Sequence, residues 1–123
     1  LARLVQIDYT REMAFIASVP DGDGDERTLG VARALADPDN IGAEFGIIIR
    51  PELKGSGLGR LLMDKLIGYQ RAAGTQRMTA TVLAENHRMR TLGQVLGFTE
   101  QASAGDDGTH EMVLELQPRA PGA

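Results

Sequence analysis

Residues 43–74 read AEFGIIIRPELKGSGLGRLLMDKLIGYQRAAG, and the order of residue types in this stretch decides the fold. An apolar run over 43–49 has strand character, with Ala43, Phe45, Ile47 and Ile49 on one face and Glu44, Gly46, Ile48 and Arg50 on the other. A basic, glycine-rich turn follows, Lys54-Gly55-Ser56-Gly57-Leu58-Gly59-Arg60. Then Leu58, Leu61, Leu62, Leu66 and Tyr69 recur at the spacing of a helix packed on a sheet, with Gly74 suited to its C-terminal cap. A strand that opens a helix through such a turn gathers unsatisfied backbone N–H groups and the positive end of the helix dipole. Glycines at alternate positions let phosphate reach the backbone, and Lys54 and Arg60 add full charges. The stretch therefore reads as a seat for the pyrophosphate of a nucleotide-derived cofactor.

Working outward, residues 76–83 are rich in Thr and Val and predict a strand parallel to 43–49, which makes a βαβ unit. Upstream, residues 11–19 and 28–35 predict two strands around DGDGDE, with the Pro-, Asn- and Gly-containing turn DPDNIG leading into 43–49. Leu1, Leu4 and Ile7 have near-helical spacing, so residues 1–6 are expected to end a helix. Downstream, Asn86 can cap a short helix with Met89, Leu92, Val95 and Leu96 facing inward, which Gly97 stops before Phe98. A last hairpin is expected from 98–102 and 110–116, with its turn at 105–108, and residues 117–123 read as a flexible tail. The expectation is one mixed α/β (α+β) domain over 1–116. The absence of an initiator methionine suits a fragment of a longer protein.

Composition narrows the chemistry. A chain of 123 residues, 42% hydrophobic and 24% charged, supports one core. It contains no apolar run near the roughly 18 residues of a membrane span and no signal-peptide pattern, so the cytosol is the expected compartment. Without cysteine there is no disulfide, thiolate metal site or thiol nucleophile, and with only His87 and His110 as imidazoles no metal is expected. A net charge of −4 argues against nucleic acid as a partner and leaves polyanion binding to a local cluster, Arg50, Lys54 and Arg60. Asp21, Asp23 and Asp25 imitate the start of a calcium loop. That loop also needs glycine at its sixth position and a carboxylate at its twelfth, where Glu26 and Ala32 stand, so DGDGDE reads as a solvated turn.

The phosphate loops of ATPases and dinucleotide enzymes fail on spacing: there is no Gly-Lys-Ser/Thr, and Arg60 stands where the dinucleotide fingerprint beginning at Gly55 needs glycine. Ser56 lacks the Gly-x-Ser-x-Gly frame of a nucleophile. The turn instead resembles the acetyl-CoA loop of the GCN5-related N-acetyltransferase (GNAT) family: Gln or Arg, two residues, Gly, one residue, then Gly or Ala. The match is complete except for Lys54 in the first position. NHRMRTLGQVLGF over 86–98 is also similar to that family, and the resemblance covers roughly residues 13–116. A closer likeness, through IDYTREMAF at 7–15, AEFGIIIRPELKGSGLG at 43–59 and the Asn86-x-x-Met89 pair, is to the acetyltransferase domain of bacterial Pat-type protein lysine acetyltransferases, which modify acyl-CoA synthetases.

The resemblance implies a mostly antiparallel sheet with a central parallel βαβ unit splayed at the acetyl-CoA site, and a chain that lacks the family's first strand and helix. It implies direct attack of an amine on the thioester, with acetyl-CoA as co-substrate and Glu44 as general base. Desolvation beside Ile48 would then raise the Glu44 pKa, while the structural alternative is an ion pair with Arg50 or Arg33. Cofactor contacts are expected from Ile47, Ile48, Ile49, Lys54, Gly55, Ser56, Gly57, Leu58, Gly59 and Arg60. Asn86 is either a further contact or a plain helix cap. Many family members place a tyrosine four residues before the Gly-Phe pair to protonate the departing thiolate, but here that position is Gly93. Water or another residue supplies the proton, or the thiolate leaves unprotonated. Three acceptor classes stay open: a protein lysine such as one on an acyl-CoA synthetase, a small amine, or none in a module that only senses acyl-CoA.

Overall fold

The computed structural model of the chain describes residues 3–22, 24–103 and 108–118. Strands β1 (Arg3–Asp8), β2 (Glu12–Pro20), β3 (Glu26–Ala36) and β4 (Gly42–Ile49) form an antiparallel meander. Helix α1 (Leu58–Ala72) crosses to β5 (Arg77–Leu83), which runs parallel to β4. Helix α2 (His87–Leu96) leads to β6 (Thr99–Ala102) and β7 (Thr109–Glu115), and β7 inserts between β5 and β6 to give the sheet order β1-β2-β3-β4-β5-β7-β6.

One face of the sheet carries the core. Ala32, Ala34 and Ala36 on β3 are small enough for α1 to approach closely. Its Leu62, Met63, Leu66 and Ile67 pack there against Met13, Phe15 and Phe45. Phe45 stacks at a tilt on Phe98, with ring centroids 5.2 Å apart. Gly74 follows the C-cap Ala73 with φ +83°, the left-handed conformation that lets the chain leave the helix.

Three expectations change. Residues 1–6 were expected as a helix end, but from Arg3 onward they lie in β1, in register with β2 from Arg3↔Ser18 to Asp8↔Met13. An exposed edge strand has no buried stripe, so three-residue spacing of apolar side chains there carries no helical information. Leu61 and Val95, expected in the core, are 50% and 54% exposed. Gln117, the first residue of the segment read as a tail, donates through Nε2 to the carbonyls of Arg71 and Thr75, each at 3.0 Å. The remaining tail residues 119–123, residue Asp23 of the DGDGDE turn and the 104–107 turn lie outside the described residues.

Candidate active site

The parallel ladder between β4 and β5 is short. It pairs Gly42↔Arg77, Ala43↔Met78 and Glu44↔Thr79, and beyond that point the strands separate. The Arg50 amide bonds back to Leu29 on β3, so by strand alternation the backbone groups of Ile47 and Ile49 point away from β3, into the gap. Their side chains lie on the α1 side, packed against the core.

At the end of β4 the chain makes one turn of 3₁₀ helix at Pro51–Leu53 and enters the glycine turn. Gly55 and Gly57 have φ of +86° and +92°, which glycine adopts without strain. Gly57 is the N-cap of α1. An N-cap side chain would normally accept from the amides two or three residues on, and glycine has none. Among the described residues the amides of Gly55, Gly57, Gly59 and Arg60 have no acceptor, whereas Lys54 donates to the Pro51 carbonyl at 3.3 Å, Ser56 to the Leu53 carbonyl at 3.1 Å and Leu58 to Ser56 Oγ at 3.4 Å. Four donors therefore converge at the positive end of a fifteen-residue helix.

Gly59 has an ordinary helical conformation. A Cβ there would meet Leu92 Cδ2 at 3.5 Å and Ile47 Cδ1 at 3.6 Å, ordinary contact distances, so the protein's own packing does not require glycine. Its bare backbone instead forms part of a cleft of about 760 Å³ between the turn, the end of β4 and α2. The cleft is large enough for a nucleotide-sized ligand.

Ile47, Ile48, Ile49, Lys54, Gly55, Gly57, Gly59, Arg60 and Asn86 all line this cleft, as the sequence reading expected of a cofactor site. Ser56 and Leu58 do not. Ser56 turns its hydroxyl to the Leu58 amide, and Leu58 packs on the core. Asn86 caps α2, its side-chain carbonyl accepting from the Met89 amide at 3.2 Å, and also lies on the cleft wall, so the two roles proposed for it are compatible. Arg88, Leu92 and Val95, not expected at a cofactor site, form the α2 wall together with His87, Met89 and Thr91.

Glu44 stands apart from the cleft, at the last rung of the parallel ladder and on the face of the sheet opposite α1. It was expected to be desolvated beside Ile48, but it is exposed, as is Ile48 at 76%. With α1 on only one side of β4, alternation places both side chains outward. Neither alternative ion pair forms: Arg33 faces Glu12 at 3.7 Å and Arg50 faces Glu52 at 3.9 Å, and Glu44 has no charged partner among the described residues. Next to it, Gly46 has open space where a side chain would stand.

Gly93, in the position where the resemblance would place a tyrosine, is buried in α2. The space a side chain would enter is filled by the methyl group of Met112, 2.0 Å from the Cβ position.

Comparison with known proteins bears directly on this arrangement. The model of the acetyltransferase (GNAT) family matches residues 2–98. The chain belongs to that family. An acetyltransferase of Pseudomonas aeruginosa is 36% identical over 117 residues, covering 93% of the chain and 62% of the relative. An L-amino acid N-acyltransferase of Escherichia coli is 35% identical over 66 residues, covering 54% of the chain and 38% of the relative. Each of these relatives is thus longer than the chain by a third or more. A Salmonella typhimurium protein solved with its cofactor acetyl-CoA superposes with a TM-score of 0.71 at 23% identity, over 91% of the chain and 69% of that protein. This last likeness establishes the fold: the mixed, mostly antiparallel GNAT sheet with its splayed parallel pair. GNAT enzymes draw their acetyl group from acetyl-CoA, and the free amides, bare Gly59 and apolar cleft suit its phosphates and its long amide-bearing arm.

Proposed function

We propose that the chain is an acetyl-CoA-dependent N-acetyltransferase acting on a protein lysine in the cytosol. The observation that carries the reaction class is the junction of the parted β4–β5 strands with the four unpaired amides of the glycine turn. The amides of the turn hold the pyrophosphate, and Ile47 and Ile49 offer backbone hydrogen bonds to the amides of the pantetheine arm. An N–H in the gap polarises the thioester carbonyl and meets the charge that develops on its oxygen.

A lysine ammonium with a reference pKa near 10.4 must lose a proton before it attacks. Glu44, with no charged partner among the described residues and at the mouth of the gap, takes that proton directly or through a water. The amine nitrogen then bonds to the carbonyl carbon, the carbon–sulfur bond breaks, and the nitrogen releases its second proton to solvent to leave the amide. Gly93 and the Met112 side chain that fills its space carry no acidic group, and in this reading solvent gives the departing thiolate its proton. The acceptor assignment draws support from the open face at Glu44, bare Gly46 and exposed Ile48, which suits a side chain presented on a protein surface. The likeness of residues 43–59 to Pat-type domains points the same way, toward an acyl-CoA synthetase as substrate.

The acylation partner of the Escherichia coli relative, an L-amino acid, favours a second reading in which the acceptor is a small amine. One experiment separates them. The chain is incubated with acetyl-CoA and either an acyl-CoA synthetase or a panel of amino acids and polyamines, and product is read by mass spectrometry. Acetyl-lysine on the synthetase supports the first reading, turnover of small amines alone supports the second, and cofactor binding without transfer to anything indicates a sensing module.

A further inference from the structure

The first turn of α2 has the wrong charge for a helix in isolation. Its N-terminus is the positive end of the dipole, where carboxylates stabilise and cations do not. The turn contains no acidic residue, and His87, Arg88 and Arg90 crowd it instead. Arg90 is accounted for: it donates to the Ala84 carbonyl at 2.7 Å and to Glu100, which also meets His110 Nδ1 at 2.9 Å. Arg88 has no carboxylate partner among the described residues. Its Nη1 lies across the cleft against the first glycine of the turn, 3.2 Å from where a Cβ of Gly55 would stand. A side chain at position 55 would push the guanidinium away, so glycine there serves both the turn and the approach of Arg88.

Lys54, Arg60 and Arg88 thus place three cations around one end of the cleft. Of the three, Arg60 alone has an ion-pair partner among the described residues, Asp64 at 3.9 Å, and both are exposed. Glu52, the acid before the turn, is engaged by Arg27 at 2.5 Å and faces Arg50 at 3.9 Å. The pyrophosphate is already provided for by backbone amides and the α1 dipole. A further cation on the opposite wall calls for a further anion, and coenzyme A carries one: the phosphomonoester on its ribose, with a charge of about −2. A guanidinium fork matches such a group with two parallel hydrogen bonds.

We propose that Arg88 is the residue by which this chain reads the ribose 3′-phosphate of coenzyme A. The proposal rests on the acetyl-CoA reading of the cleft. Calorimetry of the wild-type chain, Arg88→Ala and Arg88→Lys with CoA and with 3′-dephospho-CoA tests it. Wild type is expected to prefer CoA. Arg88→Ala lowers CoA affinity about 10- to 100-fold, the range for a lost charged hydrogen bond, and leaves dephospho-CoA affinity unchanged. Arg88→Lys keeps part of the preference. Equal weakening of both ligands overturns the proposal and assigns Arg88 to the pyrophosphate, and unchanged affinity for both makes it a surface charge. Failure of the wild type to bind either ligand overturns the acetyl-CoA reading itself. Arg88 is exposed, so loss of its side chain leaves the core intact.

Discussion

Glu44 and Thr79 form the last pair of the parallel ladder, and the strands part immediately after them. The carboxylate therefore stands where the gap begins, while the glycine turn lies beyond the other end of β4, roughly 17 Å from Glu44 to Ile49 at 3.3 Å per residue. Glu44→Gln keeps the shape and removes the basicity. Turnover should fall by about 10² to 10⁴, the usual contribution of a positioned base, with CoA affinity unchanged in calorimetry. Undiminished kcat in the variant would assign proton removal to another group.

Gly57 and Gly59 separate a demand of the fold from a demand of the ligand. Gly57→Ala forces a side chain into φ +92° and should cost about 1–2 kcal/mol of stability as well as cofactor affinity. Gly59→Ala meets only ordinary contacts and gains helix propensity, up to about 1 kcal/mol. Urea denaturation should show it as stable as wild type or more so, while calorimetry shows weaker CoA binding. A stabilised variant with unchanged affinity would remove Gly59 from the cofactor site.

Gly93→Ala drives a methyl group into the Met112 side chain, which is 1% exposed and has little room to move. Overpacking of about 1–3 kcal/mol should outweigh the propensity gain. The two positions should couple: in a double-mutant cycle, Met112→Ala should absorb part of the cost of Gly93→Ala, with an interaction of about 0.5–3 kcal/mol. Strict additivity would show that Met112 relaxes freely.

Tyr69 packs partly on the core and donates its hydroxyl to Asp8 Oδ2 at 3.4 Å. Burial, followed by the Asp8 charge and this hydrogen bond, raises its pKa above the ordinary value of 10.0. The folded chain therefore holds the phenol proton more tightly than the unfolded chain does. The resulting stability is fully present below pH 10 and is lost as pH rises through the folded value. Tyr69→Phe should lose less stability than wild type between pH 9 and pH 11 in denaturant titrations, and identical slopes would count against the linkage.

Much of this was legible in the residues. Alternation on β4, periodicity on α1 and the glycine turn are strong local signals, and they gave the βαβ unit and most of the cleft. What failed did so for a physical reason. In β1, Leu4 and Ile7 sit on an edge strand with no buried face to impose a pattern. Val95 carries the helical period of α2 but lines a cleft, and periodicity does not distinguish a ligand wall from a core. Glu44 was assigned to the correct face, yet its burial depended on what covers that face, which strand alternation alone does not specify. The place of Arg88 on the cleft wall had a signal in the residues: cations without acids at a helix N-terminus oppose the dipole.

The amides of the glycine turn have a consequence for how such a chain can diversify. A seat made from main-chain donors is inherited with the fold, and few point substitutions outside its glycines and strand end remove it. The acceptor side proposed above is different: beside the proposed base Glu44, Ile48 and the space above Gly46 are exposed. On the proposed reading, cofactor use and acceptor choice are written in separate materials, backbone and surface side chains, and only the second is easily rewritten.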